Sequence, residues 1–214
     1  MNDSLMSLAQ WDQTWQELGA TLPNPSVYQQ LIERYSEPHR HYHTLQHLQD
    51  CLAHLWQWQT LSAGRSLHCN RAEIAIALWF HDAIYDPHRK DNEEKSGQLA
   101  YQVAIDQGVK PEIADRIKNL ILATQHDVVP QTLETQILVD IDLAILGAPV
   151  ERFQEYEHQI RQEYAWVPDV EFCKARRQIL DRFLGRSSIY ITAYFQNVLE
   201  VQARANLRRS LSQL

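Results

Sequence analysis

Apolar side chains recur every three or four positions along most of this chain, which is the spacing of one face of an α-helix. The clearest series is Leu45, Leu48, Leu52 and Leu55, with steps of three, four and three residues. No segment between turn signals shows the period-two alternation that is typical of a half-buried strand. The pattern therefore predicts an all-α fold.

Capping and stop signals divide the pattern into about nine or ten helices. The expected helices cover residues 4–18, 25 to about 36, the leucine series at 45–55, 74–80, 91–108, 111 to about 125, 135–146, 150–165 and 169–184, and a long last helix capped by Ser188. Asn24-Pro25 has the form of an N-cap followed by a proline at the first helical position. Two further starts, Asn70 with Glu73 and Asp91 with Glu94, resemble capping boxes.

Few helix breakers interrupt the chain, because it has only six glycines and eight prolines in 214 residues. The predicted loops are residues 61–70, 84–91 and 127–134. We see no linker or internal repeat, so we expect one HD-like helical domain over residues 1–214. Its metal-site core would cover about residues 40–147, with the helices of 150–214 packed on it.

Charge and composition exclude several classes of partner. A net charge of −7 does not favour binding to a DNA backbone, and no run approaches the 18 apolar residues of a membrane span. Cys51, Cys69 and Cys173 form no paired motif, which is typical of reduced thiols. The N-terminal residues lack the features of a signal peptide, so we expect a cytoplasmic protein whose oligomeric state stays open.

The ten histidines are the unusual count, and several of them fall in one tract, residues 37–47. His43 and His47 are four residues apart, so on a helix they would share a face one turn apart. Two imidazoles placed in this way can converge on one centre. The alternative is a solvated polar cluster, because histidine-rich tracts are only loose signals for a metal.

A nearly continuous apolar segment, residues 75–80, ends at His81-Asp82. A buried carboxylate needs a cationic partner, and a divalent metal ion that also binds a neutral histidine is a sufficient one. The alternative is a histidine at the negative end of the helix dipole and an aspartate that caps the next turn. A second such pair, His126-Asp127, shows that the dipeptide alone is a weak signal.

Two acids interrupt the apolar helix predicted over residues 135–146. Asp142 shares a helical stripe with Leu138, Ile145 and Leu146, whereas Asp140 lies on a more mixed face. We therefore take Asp142 as a candidate metal ligand and Asp140 as a second-shell or capping group.

The order of His47, His81-Asp82 and Asp142 resembles the H…HD…D signature of the HD-domain metal-dependent phosphohydrolases. Longer strings resemble a bacterial group of predicted metal-dependent HD-superfamily phosphohydrolases: Arg40–Leu48, Ala77–Tyr85, Asp91–Ser96, Asp140–Gly147, Ile160–Tyr164 and Ala203–Leu207. The resemblance covers roughly residues 10–210 and departs from the group's pattern at Gly97.

This resemblance implies one divalent ion held by His47, His81, Asp82 and Asp142. Such a set of imidazoles and carboxylates suits Mn, Fe, Co, Ni or Zn without choosing among them. In related cyclic-nucleotide phosphodiesterases, the histidine in the position of His43 protonates the leaving group. A second metal would need His126, as in two-metal members of the superfamily.

The expected function is metal-dependent hydrolysis of a small-molecule phosphate ester, such as a nucleotide. Glu93 is the candidate general base, although an acid in a first helical turn also complements the helix dipole. Arg40, Lys95 and Arg161 are candidates for holding the phosphate. Two alternatives remain open: a non-catalytic metal-bearing binding or sensor module, and an HD-type di-iron oxygenase.

Overall fold

The protein is described here from a computed structural model that covers residues 5–22, 24–61, 69–126 and 129–214. Within these ranges the chain forms ten α-helices, two short 3-10 helices and no strand. The predicted all-α bundle of about ten helices is therefore confirmed. The predicted loops at 61–70 and 127–134 lie partly outside the described residues, and so does Asp127 of the second His-Asp pair.

The helices follow one another in the order in which they were predicted. They are α1 (Leu8–Glu17), α2 (Pro25–Arg34), α3 (Leu45–Leu61), α4 (Arg71–Phe80), α5 (Asn92–Asp106), α6 (Pro111–Leu122), α7 (Leu133–Asp142), α8 (Val150–Glu163), α9 (Asp169–Leu184) and α10 (Ala193–Gln213). The 3-10 helices, Ala123–Gln125 and Leu143–Gly147, continue α6 and α7. Among the described helices, none combines the length and apolar character that a membrane crossing needs.

Helix starts were predicted well, but not always for the right reason. Asn24 caps α2 as expected, because its side chain accepts a hydrogen bond from the backbone N–H of Ser26 at 3.0 Å. The two capping boxes are wrong, since neither Asn70 nor Asp91 makes a side-chain capping bond. Their acids have stronger partners: Arg116 binds Glu73, and Arg89 binds Asp91.

The predicted cap of the last helix is also wrong. The helix α10 begins at Ala193 with Thr192 as its N-cap, four residues after Ser188. Ser188 instead donates its hydroxyl hydrogen to the carboxylate of Glu200. That carboxylate also accepts from the backbone N–H groups of Ile189 and Tyr190, which holds this segment outside the helix.

The chain divides into two compact units, one ending at Val139 and the other running from Asp140 to Leu214. The division falls inside α7, whereas the sequence pattern placed the end of the metal-site core near Gly147. Each unit is described separately below.

The first unit is built around α4. This helix packs against α1, α3, α5 and α6, and every residue from Ile76 to Phe80 is buried. A helix that is apolar on all sides has to lie inside the molecule. Its C-terminal end therefore delivers the next two residues, His81 and Asp82, into the interior of the unit.

The second unit is organised by the close approach of α10 to the 3-10 helix Leu143–Gly147. The Asn206 amide, fully buried on α10, donates hydrogen bonds to the carbonyl oxygens of Leu146 and Ala148, both at 2.9 Å. Gly147 permits the approach, because a Cβ atom there would lie 2.6 Å from Cβ of Leu199.

Candidate metal centre

Two helices of the first unit bring together four residues of metal-binding types. His47 and Cys51 lie one turn apart on the buried face of α3, which also carries Leu48, Leu52 and Leu55. His81 follows the last residue of α4, and Asp82 comes next. The ligand atoms of His47, Cys51 and His81, all buried, lie within 4.8 Å of one another, which is close enough to hold a metal ion.

Asp82 completes the cluster more tightly than Cys51 does. Nε2 of His47 lies 3.0 Å from Nε2 of His81. Oδ2 of Asp82 lies 2.9 Å from Nε2 of His81 and 3.5 Å from Nε2 of His47. Ligand atoms held at about 2.0–2.2 Å from a shared ion are separated by roughly 3 Å at neighbouring coordination positions. The three atoms therefore have the spacing of one face of a coordination sphere.

The hydrogen bonding of His81 indicates which of its two ring nitrogens carries the proton. Nδ1 lies 2.8 Å from the carbonyl oxygen of Leu78, which only accepts, so Nδ1 carries a proton. In the neutral ring, Nε2 then carries a lone pair, and its neighbours are Nε2 of His47 at 3.0 Å and Oδ2 of Asp82 at 2.9 Å. A histidine that donates its second N–H to a backbone carbonyl is the usual arrangement around protein metal ions.

The carboxylate of Asp82 has an oxygen that no hydrogen bond satisfies. Oδ2 is buried, and neither nearby imidazole contact has hydrogen-bond geometry. Two lone pairs facing each other at 2.9 Å repel, and a buried acceptor without a donor is costly. A cation placed between Oδ2 and the two nitrogens removes both penalties, so these residues fit a divalent ion.

Electrostatics keep Asp82 ionised. Burial alone would raise the pKa of its carboxyl group, but positive charge on the imidazoles of His81, His43 and His47, in the protonated forms that they can take without an ion, outweighs burial and holds the pKa below its ordinary value. A divalent ion bound to the neutral rings would supply positive charge at the same place. The side chain is therefore a carboxylate at neutral pH, which is the form that binds a metal.

Cys51 has a different geometry. Its Sγ lies 3.7 Å from Nε2 and 3.8 Å from Nδ1 of His47. Nearly equal distances to both nitrogens place the sulfur against the ring, whereas a ligand that shares an ion with Nε2 would lie much closer to Nε2 than to Nδ1. The thiol therefore packs on His47, and its position does not match that of Asp82.

His43 lies beside the cluster, in the turn two residues before α3 begins. Its ring centre is 5.9 Å from that of His47 and 4.1 Å from that of Tyr85, on which it stacks. Tyr42 meets its edge at 4.9 Å. His43 is half-buried.

The three cations expected to hold phosphate all have other partners. Arg40 is bound to carbonyl oxygens and to Glu37, Lys95 lies 3.2 Å from a carboxylate oxygen of Asp91, and Arg161 binds Asp169 and two backbone carbonyls. Their expected role is therefore not supported by their contacts.

The remaining predicted residues lie at the following places. Glu93 is half-buried in the first turn of α5, and His126 ends a 3-10 helix with a left-handed backbone at φ 57°. Asp142 is the last residue of α7 and belongs to the second unit. A general base at Glu93, a second metal at His126 and a fourth ligand at Asp142 stay predictions from the sequence.

Asp140, which the sequence suggested as a second-shell or capping group, binds backbone N–H groups just before α10. It is fully buried and accepts hydrogen bonds from the backbone N–H groups of Ile191 and Thr192 and from the Thr192 hydroxyl, all at 2.7 Å. Its carboxylate thus binds the segment that leads into α10.

Sequence reasoning missed Cys51 and Tyr85. The signal for Cys51 was its spacing of four residues from His47, the same spacing that linked His43 to His47. Tyr85 carried no chemical signal, because an aromatic residue after His81-Asp82 is as readily explained by packing.

In comparisons with protein-family models, with curated proteins and with solved structures, no match to this chain was found.

Proposed function

We propose that this protein binds a divalent transition-metal ion through His47, His81 and Asp82 and uses it to hydrolyse a small phosphate ester. The observation that carries the proposal is the convergence of two imidazole Nε2 atoms and a carboxylate oxygen within 3.5 Å of one another, with no hydrogen bond to the oxygen. Mn, Fe, Co, Ni and Zn all accept such ligands.

Hydrolysis is supported by the chemistry of the donor set and by the resemblance to HD-domain phosphohydrolases. A divalent ion held by these residues would activate water and polarise a phosphoryl oxygen. Three protein ligands would leave coordination positions for water and a substrate oxygen. The side chain of Asp82 is 15% exposed, although its Oδ2 is buried.

His43 is suited to move a proton at the edge of this site. A leaving alkoxide needs a proton, and histidine is the side chain that most often supplies one near neutral pH. Stacking on Tyr85 and the edge contact with Tyr42 restrict the orientation of the ring. The same contacts leave its position beside His47 independent of any bond to a metal.

A second candidate function is a metal-bearing binding module without turnover. It is favoured by one observation: Arg40, Arg89 and Lys95, the cations flanking the two motifs, all have acidic or carbonyl partners. Phosphoryl transfer normally relies on positive charge directed at the phosphoryl oxygens, and in this reading only the ion would supply it.

The two functions differ in turnover by the metal-loaded chain. The purified chain is stripped with a chelator and reloaded with Mn²⁺ or Co²⁺, and hydrolysis is measured on p-nitrophenyl phosphate, bis(p-nitrophenyl) phosphate and nucleoside monophosphates. We expect turnover of at least one ester that disappears on chelation and in Asp82→Asn. A chain that binds the ion but hydrolyses none of these esters supports the binding module. A chain that takes up neither ion contradicts both functions.

A further inference from the structure

Arg40 is the most deeply buried cation near the metal centre. Its side chain is 0% exposed, although it lies in the loop between α2 and α3. A buried guanidinium is tolerated only when its donors are bonded and its charge is compensated. The partners of Arg40 therefore define what this residue does.

Four of its five N–H donors have protein acceptors. Nε donates to Oε2 of Glu37 at 3.0 Å. Nη1 donates to the carbonyl oxygens of His43 and Asp82, at 3.2 Å and 2.7 Å, and Nη2 donates to that of Ala83 at 3.3 Å. A guanidinium that is used in this way and shielded from solvent does not bind a substrate phosphate.

The guanidinium also lies between two aromatic rings. Its central carbon is 5.3 Å from the ring centre of Tyr35 and 5.4 Å from that of Tyr85. Both distances are within the range of cation–π attraction. Tyr85 stacks on His43, so Arg40, Tyr85 and His43 form one continuous set of contacts.

These contacts connect the two chain segments that carry the candidate ligands. One segment runs from His43 into α3 and reaches His47 four residues later, and the other is the turn at Asp82 and Ala83 after α4. The two segments are about forty residues apart in sequence. A single planar group bonded to carbonyls on both sides fixes their separation.

We propose that Arg40 is a positioning residue that sets the geometry of the metal centre. It holds the backbone carbonyls of His43 and Asp82 at a fixed separation. In this way it fixes the distance between the imidazole of His47 and the carboxylate of Asp82. Lysine cannot replace it, because an ammonium group is a single point with three donors and lacks the planar fork that spans both segments. This inference rests on the proposed metal site.

The second unit provides a matched control. Arg204 also combines one carboxylate and three carbonyl partners: Nε donates to Glu200 at 2.7 Å, Nη1 to Leu184 at 3.1 Å, and Nη2 to Arg186 and Ser187 at 2.8 and 3.1 Å. Replacing it removes a similar number of hydrogen bonds from the fold without touching the segments at His43 and Asp82.

The test compares Co²⁺ binding by the full chain in wild type, Arg40→Lys and Arg204→Lys. Titration measures the affinity, and the visible absorption spectrum of bound Co²⁺ reports the geometry of the site. Outer-shell changes usually cost about 10–100-fold in metal affinity, and we expect a loss in this range for Arg40→Lys, with an altered spectrum. Arg204→Lys should lower the melting temperature but keep the affinity and spectrum of wild type.

Three outcomes are distinguishable. A wild-type chain that binds no Co²⁺ defeats the proposed metal site itself. Unchanged affinity and spectrum in Arg40→Lys, or an equal loss in Arg204→Lys, overturns the positioning role alone. If Arg40→Lys does not fold, Glu37→Gln decides, because it removes the charged partner of Arg40 at a partly exposed position. A loss of Co²⁺ affinity in Glu37→Gln, smaller than the roughly 10–100-fold expected for Arg40→Lys, supports the positioning role. Unchanged affinity in Glu37→Gln overturns it.

Discussion

At the scale of single residues, one hydrogen bond decides what the candidate metal site can bind. Because Nδ1 of His81 donates to the carbonyl oxygen of Leu78, Nε2 of the neutral ring presents its lone pair to Asp82 and His47. The buried oxygen of Asp82 has no other donor to satisfy it. The need for a positive charge at this point follows from these two facts together.

The role of His43 leads to a prediction about leaving groups. His43→Gln should keep the metal, because His43 lies beside the cluster and supplies none of its three convergent atoms. The variant should hydrolyse an ester with an alkoxide leaving group about 10²–10⁴-fold more slowly, which is the usual contribution of a positioned acid. Steady-state rates with a nucleoside monophosphate measure this effect.

An ester with p-nitrophenolate as the leaving group is the control, since that group departs without a proton and should show a much smaller loss. If both esters are hydrolysed at the wild-type rate, His43 is not the acid. Loss of metal content in His43→Gln would make His43 a ligand.

Residue-scale prediction from the sequence worked where spacing and polarity coincided. The four-residue step from His43 to His47 correctly indicated neighbouring rings, and the apolar segment before His81-Asp82 correctly indicated burial. Cys51 escaped notice because a buried thiol packs like a small apolar residue. The contacts of Arg40 escaped notice because its acceptors are backbone carbonyls, which leave no trace in the sequence.

At the scale of secondary structure, hydrophobic periodicity and chain breakers predicted the order of the helices. The bounds of α9 match the prediction, and α2 and α6 begin at Pro25 and Pro111, as predicted. The capping boxes and the cap at Ser188 failed because other side chains bind the same groups: Arg116 binds Glu73, Arg89 binds Asp91, and Glu200 binds Ser188. Arg116 binds the Glu73 carboxylate from α6, and no local pattern around Glu73 reveals it.

Two helix-associated glycines should respond in opposite ways to alanine. At Gly147 a Cβ atom would lie 2.6 Å from Cβ and 2.9 Å from the carbonyl oxygen of Leu199, so α10 would have to move. Overpacking of this kind costs about 1–3 kcal/mol. We expect Gly147→Ala to lower the free energy of unfolding by this amount in urea denaturation followed by circular dichroism.

Gly97 on α5 is the comparison. A Cβ atom there would lie 3.3 Å from Cγ of Lys118, a flexible side chain that can shift. Alanine gains about 0.5–1 kcal/mol over glycine inside a helix, so Gly97→Ala should be neutral or stabilising. Equal destabilisation by the two substitutions would contradict the close approach at Gly147.

At the scale of the whole molecule, the chain concentrates its candidate chemistry in the first unit and a dense polar network in the second. In the first unit α4 carries the His-Asp pair into an apolar interior, where positive charge on the surrounding imidazoles or on a bound ion would favour the ionised form of Asp82 despite its burial. In the second unit Asp140, Glu200 and Asn206 bind backbone groups that lead into or face α10. The division into two units inside α7 was not foreseen, because a helix that crosses a boundary keeps an unbroken hydrophobic pattern.

The most direct test of the account is the metal content per chain by elemental analysis, after loading with Co²⁺ and removal of excess ion, in wild type, Cys51→Ala and Asp82→Asn. The account predicts about one ion per chain in wild type and in Cys51→Ala, because the thiol packs against His47 without sharing its lone-pair direction. It predicts loss of the ion in Asp82→Asn, which removes the carboxylate that faces both imidazoles. A wild-type chain without metal, or retention of the ion in Asp82→Asn together with its loss in Cys51→Ala, would contradict it.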